Sequence, residues 1–333
     1  MLYVIIEKGY KGPFCYKNII LVIFLMSTIF LGNRSSPKIK FIKQHIMYLS
    51  TEQRTFANLS RPLHKHKVRS LLEKGSGEFN EDVLLEEGDL LGVFDGATSL
   101  DKRRFHGGLT GGLLAARTAA GSFQGNRTPL DQQAKEANQN IQRAQREQGI
   151  GLDERHKLWS TSLAVVHLAG NRLEYCQTGD ALILFVLKDG SYKIITPDID
   201  IDRDTLQMWQ EMQVSPDARI HEVLADQINK VRLEMNVTYG VLNGEPEALA
   251  FIRHGYENLA DVSDILLFTD GLQLPRENPL EDHDWQSFVK LYRQGGLQAV
   301  RDHVRYLQQL DPHCRKYPRF KIHDDIAAVA ISC

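Results

Sequence analysis

The chain has 333 residues, 42% of them hydrophobic and 25% charged, enough to bury a sizeable core in one large domain or two small ones. A formal net charge of −2 leaves no bulk electrostatic case for nucleic-acid binding. The four cysteines, Cys15, Cys176, Cys314 and Cys333, are scattered without a CxxC pair, so neither a zinc site nor a disulfide framework is expected, which fits a reducing compartment.

Residues 1–46 stand apart from the rest. The apolar run at 18–32 is shorter than the roughly 20 apolar residues of a membrane span. Lys8, Lys11 and Lys17 precede it, as before a signal-peptide apolar region. Arg34, Lys38, Lys40 and Lys43 follow, and no A-x-A-like cleavage site stands out. Three readings stay open: a cleaved signal, a retained anchor, or a true start at Met47. The remainder reads as a cytoplasmic domain, with membrane contact only if 18–32 is kept as an anchor.

From residue 60 to 333 no repeat and no Pro/Gly/Ser-rich linker interrupts the chain, so a single domain is expected. "EDVLLEEGDLLGVFDG" reads as two strands about the turn Glu87-Gly88-Asp89. "LTGGLLAARTAAGSF" reads as a small-residue helix. A second helix follows Pro129, with Thr128 as its cap and Leu130, Ala134, Ala137, Ile141 and Ala144 on one face. Residues 160–198 hold four strand-like runs broken at Gly170-Asn171, Gly179-Asp180 and Asp189-Gly190, the last two hairpin-like. "DTLQMWQEMQ" and "IHEVLADQINKVRLEMN" are predicted helices, and "DILLFTDGL" is a strand. Residues 283–310 are helical in two pieces interrupted at Gly295-Gly296, and "DDIAAVAIS" is a last strand. Short turns between strands favour antiparallel sheets, so the class is α+β.

Acidic residues recur where apolar strands end. Asp95 follows "LLGVF", Asp180 follows "LEYCQTG" and Asp270 follows "ILLFT"; Asp324-Asp325 precede "IAAVAIS", and Glu81-Asp82 precede "VLL". Each alone is also an ordinary turn or solvated strand end. Together, carboxylates brought to one end of a sandwich would repel one another unless cations neutralised them. Oxygen donors without Cys or clustered His select Mg²⁺ or Mn²⁺, and a metal pair suits phosphoryl-transfer hydrolysis. Other chemistries are poorly supported. Ser99 lacks a G-x-S-x-G setting. "GGLTGG" lacks the phosphate-loop pattern and reads as close helix packing. His64 and His66 read as a solvated stretch rather than ligands.

In this order the motifs "NEDVL", "GVFDGATSL", "TGGLLAARTAA", "LEYCQTGDALIL", "GVLNGEPEAL", "DILLFTDGL" and "DDIAAVAIS" resemble the metal-dependent serine/threonine protein phosphatases of type 2C, in their bacterial form. The resemblance implies an α-β-β-α sandwich of two antiparallel sheets with a binuclear Mn²⁺ or Mg²⁺ centre. It implies that Asp95 bridges the two metals and the Gly96 carbonyl binds the second, while Asp270 and Asp324 hold the first. Glu81 and Asp82 would contact metal-bound waters, and Asp180 with Asp270 would form a weaker third position. The implied reaction is hydrolysis of phosphoserine and phosphothreonine in proteins by a hydroxide bridging two metals, opposite a partner kinase. Asp95, Asp270 and Asp324 would be its catalytic residues.

Two departures stand out. Gly77 takes the place of an arginine often found four residues before the Glu-Asp pair, with Arg69, Lys74 or Arg103 as possible substitutes. Ala97 takes the place of a histidine that follows Asp-Gly in eukaryotic members. They leave two alternatives open: a non-catalytic phosphoprotein-binding module on the same fold, and a hydrolase of small phosphate esters.

Overall fold

The computed structural model describes residues 66–97, 103–215 and 217–333. The chain divides into two units, Met1–Leu63 and His64–Cys333, and all that follows concerns the second. The segment 1–46 with its apolar run, Met47, His64 and Ser99 lie outside the described residues.

Among the described residues, ten strands form two five-stranded antiparallel sheets. In chain order they are β1 (Lys67–Glu73), β2 (Val83–Glu87), β3 (Leu90–Gly96), β4 (Thr161–Ala169), β5 (Arg172–Thr178), β6 (Leu182–Leu187), β7 (Tyr192–Ile194), β8 (Arg253–Asn258), β9 (Val262–Phe268) and β10 (Ile326–Ser332). One sheet runs β1-β10-β9-β6-β7 and the other β2-β3-β4-β5-β8. The main helices are α1 (Gly111–Phe123), α2 (Leu130–Glu147), α3 (Arg203–Glu211), α4 (Ile220–Val223), α5 (Ala225–Leu233) and α6 (Trp285–Gln309).

The layers follow from side chains alternating across each strand. Val93, Ala164, Val166, Ile265, Leu267 and Val329 meet in the core between the sheets. Their neighbours Phe94, Leu163 and Val165 face outward onto α1 and α2. Leu266, Phe268 and Ala328 face the other way, onto Trp285, Phe288 and Val300 of α6. Strands with both faces covered read as continuous apolar runs, which is why "LLGVF" and "DILLF" show no alternation in sequence. The outcome is the expected α-β-β-α sandwich.

Three expectations need correction. Gly179-Asp180 is no hairpin: β5 pairs with β4 and β8, whereas β6 pairs with β7 and β9, so the chain crosses from one sheet to the other there. A hairpin lies at Gly170-Asn171, where Ala169 opposes Arg172, and the expected one at Asp189-Gly190 joins β6 to β7. Thr128 does not cap α2; its hydroxyl donates to Asn126, and the helix's first amide, Leu130 N, donates to Glu174 Oε1 of β5 at 2.9 Å. The predicted helix 220–236 is two, since α4 ends at Val223. The break at Gly295-Gly296 falls as expected, with Gly296 at φ +70°.

Candidate active site

The acidic residues gather at one end of the sandwich because β3 and β9 terminate there and β2 and β10 begin there. Asp95 closes β3 opposite Ser162 of β4. Asp180 sits at the crossing between the sheets, where burial raises its pKa and the neighbouring Ser162 side chain opposes the rise. Asp270 follows β9, and Asp324 stands just before β10. These four and Gly96 line one cavity of about 170 Å³.

Two close backbone approaches fix the geometry. A Cβ on Gly96 would lie 2.5 Å from the Gly112 carbonyl oxygen of α1 and 2.7 Å from that of Glu81. A Cβ on Gly271 would lie 1.8 Å from the Asp325 carbonyl oxygen. Glycine after each aspartate therefore lets the strand end nest against the neighbouring backbone. The reading of "GGLTGG" as close packing holds too, since a Cβ on Gly111 would overlap the Trp159 ring at 2.3 Å.

Asp324 and Asp325 separate in role. Asp325 is 3% exposed and accepts from the amides of Gly75 (2.7 Å) and Glu81 (2.9 Å), so it ties the 75–81 loop to β10. Asp324 faces the cavity, paired with Lys321 at 2.7 Å. Glu81 and Asp82 are 4% and 5% exposed and lie behind the lining. The Thr269 hydroxyl donates to Asp82 Oδ2 at 2.7 Å, which couples "NEDVL" to "FTDG".

The facing wall comes from residues 201–241 and the loop before β10: Ile201, Asp202, Val231, Arg232, Tyr239 and Phe320. This cap has its own small core of Trp209, Ile220, Leu224 and Ile228, with Phe320 packed against it. The Trp209 indole donates to the Cys314 carbonyl at 2.9 Å, tying the cap to that loop. The "GVLNGEPEAL" segment anchors its far end. Glu245 accepts from Arg155 (2.6 Å) and Asn243 (2.7 Å), while Arg155 also donates to Met235 O at 2.6 Å.

Asp202, Arg232, Lys321 and Tyr239 are site residues that sequence reasoning missed. The acidic run "DIDID" at 198–202 was the available signal for Asp202; helix periodicity gave none for Arg232. Arg69, Lys74 and Arg103 do not line the cavity. Arg69 lies on β1, Lys74 donates to Glu78 O, and Arg103 donates to Gln148 O.

The electrostatics are those of a crowded acidic pocket. Burial pushes Asp95 well above the usual carboxylate range, and Asp82, Asp270 and Asp180 push the same way. Burial raises Asp270 likewise, reinforced by Asp324 and Asp180, with Asp95 in hydrogen-bonding reach. Asp82 is raised by burial against the opposing effect of Thr269. Burial, Asp180 and Asp200 lift Asp202 to about 7. At Lys321, burial opposes the charge, but Asp324 overcomes it and holds the ammonium above its ordinary value.

Among the described residues, no three His, Cys, Asp or Glu side chains already converge as a set able to hold an ion. Mg²⁺-type sites need no such set: one or two carboxylates per ion suffice, with carbonyls and waters completing the shell. Desolvated, mutually repelling carboxylates fit that demand, because a divalent cation offsets both the burial and the repulsion that raise their pKa values.

Residues 73–311 match the family described as Protein phosphatase 2C. The chain belongs to that family. It is a metal-dependent serine/threonine protein phosphatase of the class that uses Mn²⁺ or Mg²⁺, and phosphoproteins are its substrates. Two solved structures share the fold at low identity. PppA of Pseudomonas aeruginosa is 17% identical over 81% of this chain and 98% of its own, with a TM-score of 0.50. Stp1 of Staphylococcus aureus is 16% identical over 80% of this chain and 95% of its own, also at 0.50. The catalytic domain of PstP, in complex with two manganese ions, is 16% identical over 80% and 97%, at 0.48. No curated protein sequence matches the chain. No helix among the described residues is long and apolar enough to cross a membrane.

Proposed function

We propose that the cleft at the strand ends is the catalytic centre, with Asp95, the Gly96 carbonyl, Asp270 and Asp324 holding two divalent cations. Glu81 and Asp82 act from behind through water, and Asp180 with Asp270 forms a weaker third position. The carrying observation is that Asp95, Gly96, Asp270, Asp324 and Asp180, far apart in sequence, line one cavity. When bound, the cations lower the pKa of water held between them and stabilise charge on the phosphoryl oxygens.

The protein's own residues do the rest. Strand ends locked by Gly96 and Gly271 hold the carboxylates before any ligand arrives, so little reorganisation is required. Thr269 keeps Asp82 oriented, and Lys321 orients Asp324. Apolar side chains of the cap, Ile201, Ile228, Val231, Met235 and Phe320, limit bulk water on the opposite side. Ala97 offers no proton, so the leaving oxygen takes its proton from water or from a group other than residue 97.

We place the catalytic domain at 60–333 and its action in the cytoplasm, on proteins phosphorylated by a partner serine/threonine kinase. The three described cysteines are free, which suits a reducing compartment. The test is hydrolysis of a phosphoserine peptide by the full-length protein with Mn²⁺, with and without chelator. Metal-dependent turnover abolished by Asp95→Asn and Asp270→Asn is expected. A folded wild-type protein that hydrolyses nothing with Mn²⁺ or Mg²⁺ overturns the reading.

A further inference from the structure

The run "DIDID" at 198–202 sends its three carboxylates to different places. Asp202 lines the cleft, with Ile201 and Thr205 beside it. Asp198 and Asp200 pair instead with residues 276–285. The His283 imidazole meets the two carboxylate oxygens of Asp198 at 3.1 and 3.0 Å, and the Trp285 indole donates to Asp198 Oδ2 at 2.8 Å. Arg276 donates to Asp200 Oδ2 at 2.5 Å and, from its other nitrogen, to Glu281 O. Arg203 of α3 reaches Asp200 at 3.8 Å and Asp282 at 3.5 Å, and Gln210 donates to Glu277 O at 2.5 Å.

The arm 273–284 on the far side of this seam is fixed at both ends. It leaves the turn Asp270–Leu272 and enters α6 at Asp284, whose side chain accepts from Ser287 N at 2.9 Å. Leu272 and Trp285 both belong to the core between α6 and its sheet, whereas the cap packs around a separate core of its own. The Arg276–Asp200 pair is only 15% and 17% exposed, which sets it apart from surface ion pairs that contribute little. Burial alone would raise Asp198, but His283, then Trp285 and Arg276, hold it below the usual carboxylate range. An ionised carboxylate only accepts, so the His283 ring nitrogen donates to it.

We propose that Arg276 and His283 are positioning residues of this phosphatase: through Asp200 and Asp198 they latch the first stretch of the cap, residues 198–205, to the arm, so that Ile201 and Asp202 stand over the cleft. This rests on the reading of the cleft as the catalytic centre. The arm begins at the turn that carries Asp270, so one segment places both the acidic wall and the cap wall. A phosphopeptide lies against the cap wall, whereas a small aryl phosphate is held at the strand ends alone. The latch therefore bears on the first substrate and spares the second. A seam that served stability only would act on both alike.

The experiment uses the full-length protein with Mn²⁺ as wild type, Arg276→Gln, Arg276→Lys and His283→Gln, each checked for a cooperative thermal transition. Steady-state kinetics gives KM and kcat on a phosphoserine peptide and on p-nitrophenyl phosphate, and hydrogen exchange follows the amides of residues 199–212. Arg276→Gln is expected to raise KM for the peptide by about three- to tenfold, with kcat/KM for p-nitrophenyl phosphate within about twofold of wild type and faster exchange at 199–212. His283→Gln shifts the peptide KM in the same direction, and Arg276→Lys, which keeps the charge, falls between wild type and Arg276→Gln. An unchanged peptide KM in Arg276→Gln overturns the proposal, and so does an equal loss on both substrates, which leaves the seam structural. If Arg276→Gln does not fold, His283→Gln decides by the same two criteria. A wild-type protein that hydrolyses neither substrate refutes the catalytic reading itself and this inference with it. Active wild type with indifferent variants refutes the inference alone.

Discussion

One wall of the cleft is made of strand ends. Asp95, Asp180, Asp270 and Asp324 stand at the termini of hydrogen-bonded strands whose two faces are both buried, and glycines press those ends against neighbouring backbone. The facing wall is made of short helices around a core of Trp209, Ile220, Leu224 and Ile228, tied down by side-chain contacts such as the Trp209 indole on Cys314 O and Arg155 on Met235 O. The first wall is acidic and fixed by sheet register; the second is mixed, bringing Arg232, Asp202 and Tyr239 beside apolar side chains. The contrast teaches a division of labour under the proposed reading: the rigid wall would set where cations sit, and the cap what lies over them.

That division can be broken from either side. The largest effect is expected at the rigid wall. Asp95→Asn should lower kcat/KM by about 10²–10³-fold or more, with loss of Mn²⁺ affinity by calorimetry and little change in Tm. Retained activity would mean that the strand ends do not hold the metals. On the cap, Trp209→Ala removes a fully buried ring and should cost about 3 kcal/mol of packing. Its KM for a phosphopeptide should rise while Mn²⁺ affinity holds, and a parallel fall in metal affinity would show the walls to be one unit.

A smaller effect is expected behind the lining. Thr269→Val strips Asp82 of its 2.7 Å hydroxyl donor and should lower kcat about tenfold, with Thr269→Ser restoring it. Full activity in the valine variant would make that bond structural only.

The smallest is a pH effect on the metal-free protein. Asp202 is raised to about 7 by burial first and then by Asp180 and Asp200, and burial with neighbouring carboxylates raises Asp95 and Asp270 in the same direction. A folded-state pKa above the ordinary value gives stability that is fully present below that ordinary value and lost as pH rises through the folded pKa. Tm of chelated protein should therefore fall by about 5 °C from pH 5 to pH 8, and Mn²⁺ should restore it at pH 8. A flat profile would mean that the carboxylates are not coupled by repulsion.

The rigid wall was legible before any coordinates because its signal is local. An apolar run that stops at Asp-Gly states both a buried strand and a carboxylate at its end, as at Asp95 and Asp270; Asp180 follows Gly179 and Asp324 precedes its strand, and the sandwich was implied by the family resemblance that the ordered motifs carry. The cap was not legible in the same way. Arg232 sits in a short helix of low amphipathicity, and nothing local distinguishes it from the surface arginines Arg69 and Arg103. The edge strands β1 and β8 escaped for a related reason. "KVRSLLE" and "RHGYEN" lack an apolar run, and they are strands because β10 and β5 offer them partners.

By itself, then, the sequence determined the α+β class, the succession of buried strands and the acids that end them, since these follow from side-chain period and turn chemistry over a few residues. Only the tertiary structure decided that Asp324 faces the cleft while Asp325 clamps the 75–81 loop. It likewise decided that Glu81 and Asp82 stand behind the lining, that Gly179-Asp180 crosses between sheets, and that Arg232 and Lys321 supply the positive charge. Each of these depends on which distant segments meet, and burial and hydrogen bonding between such segments are settled only when the two sheets and the cap pack together.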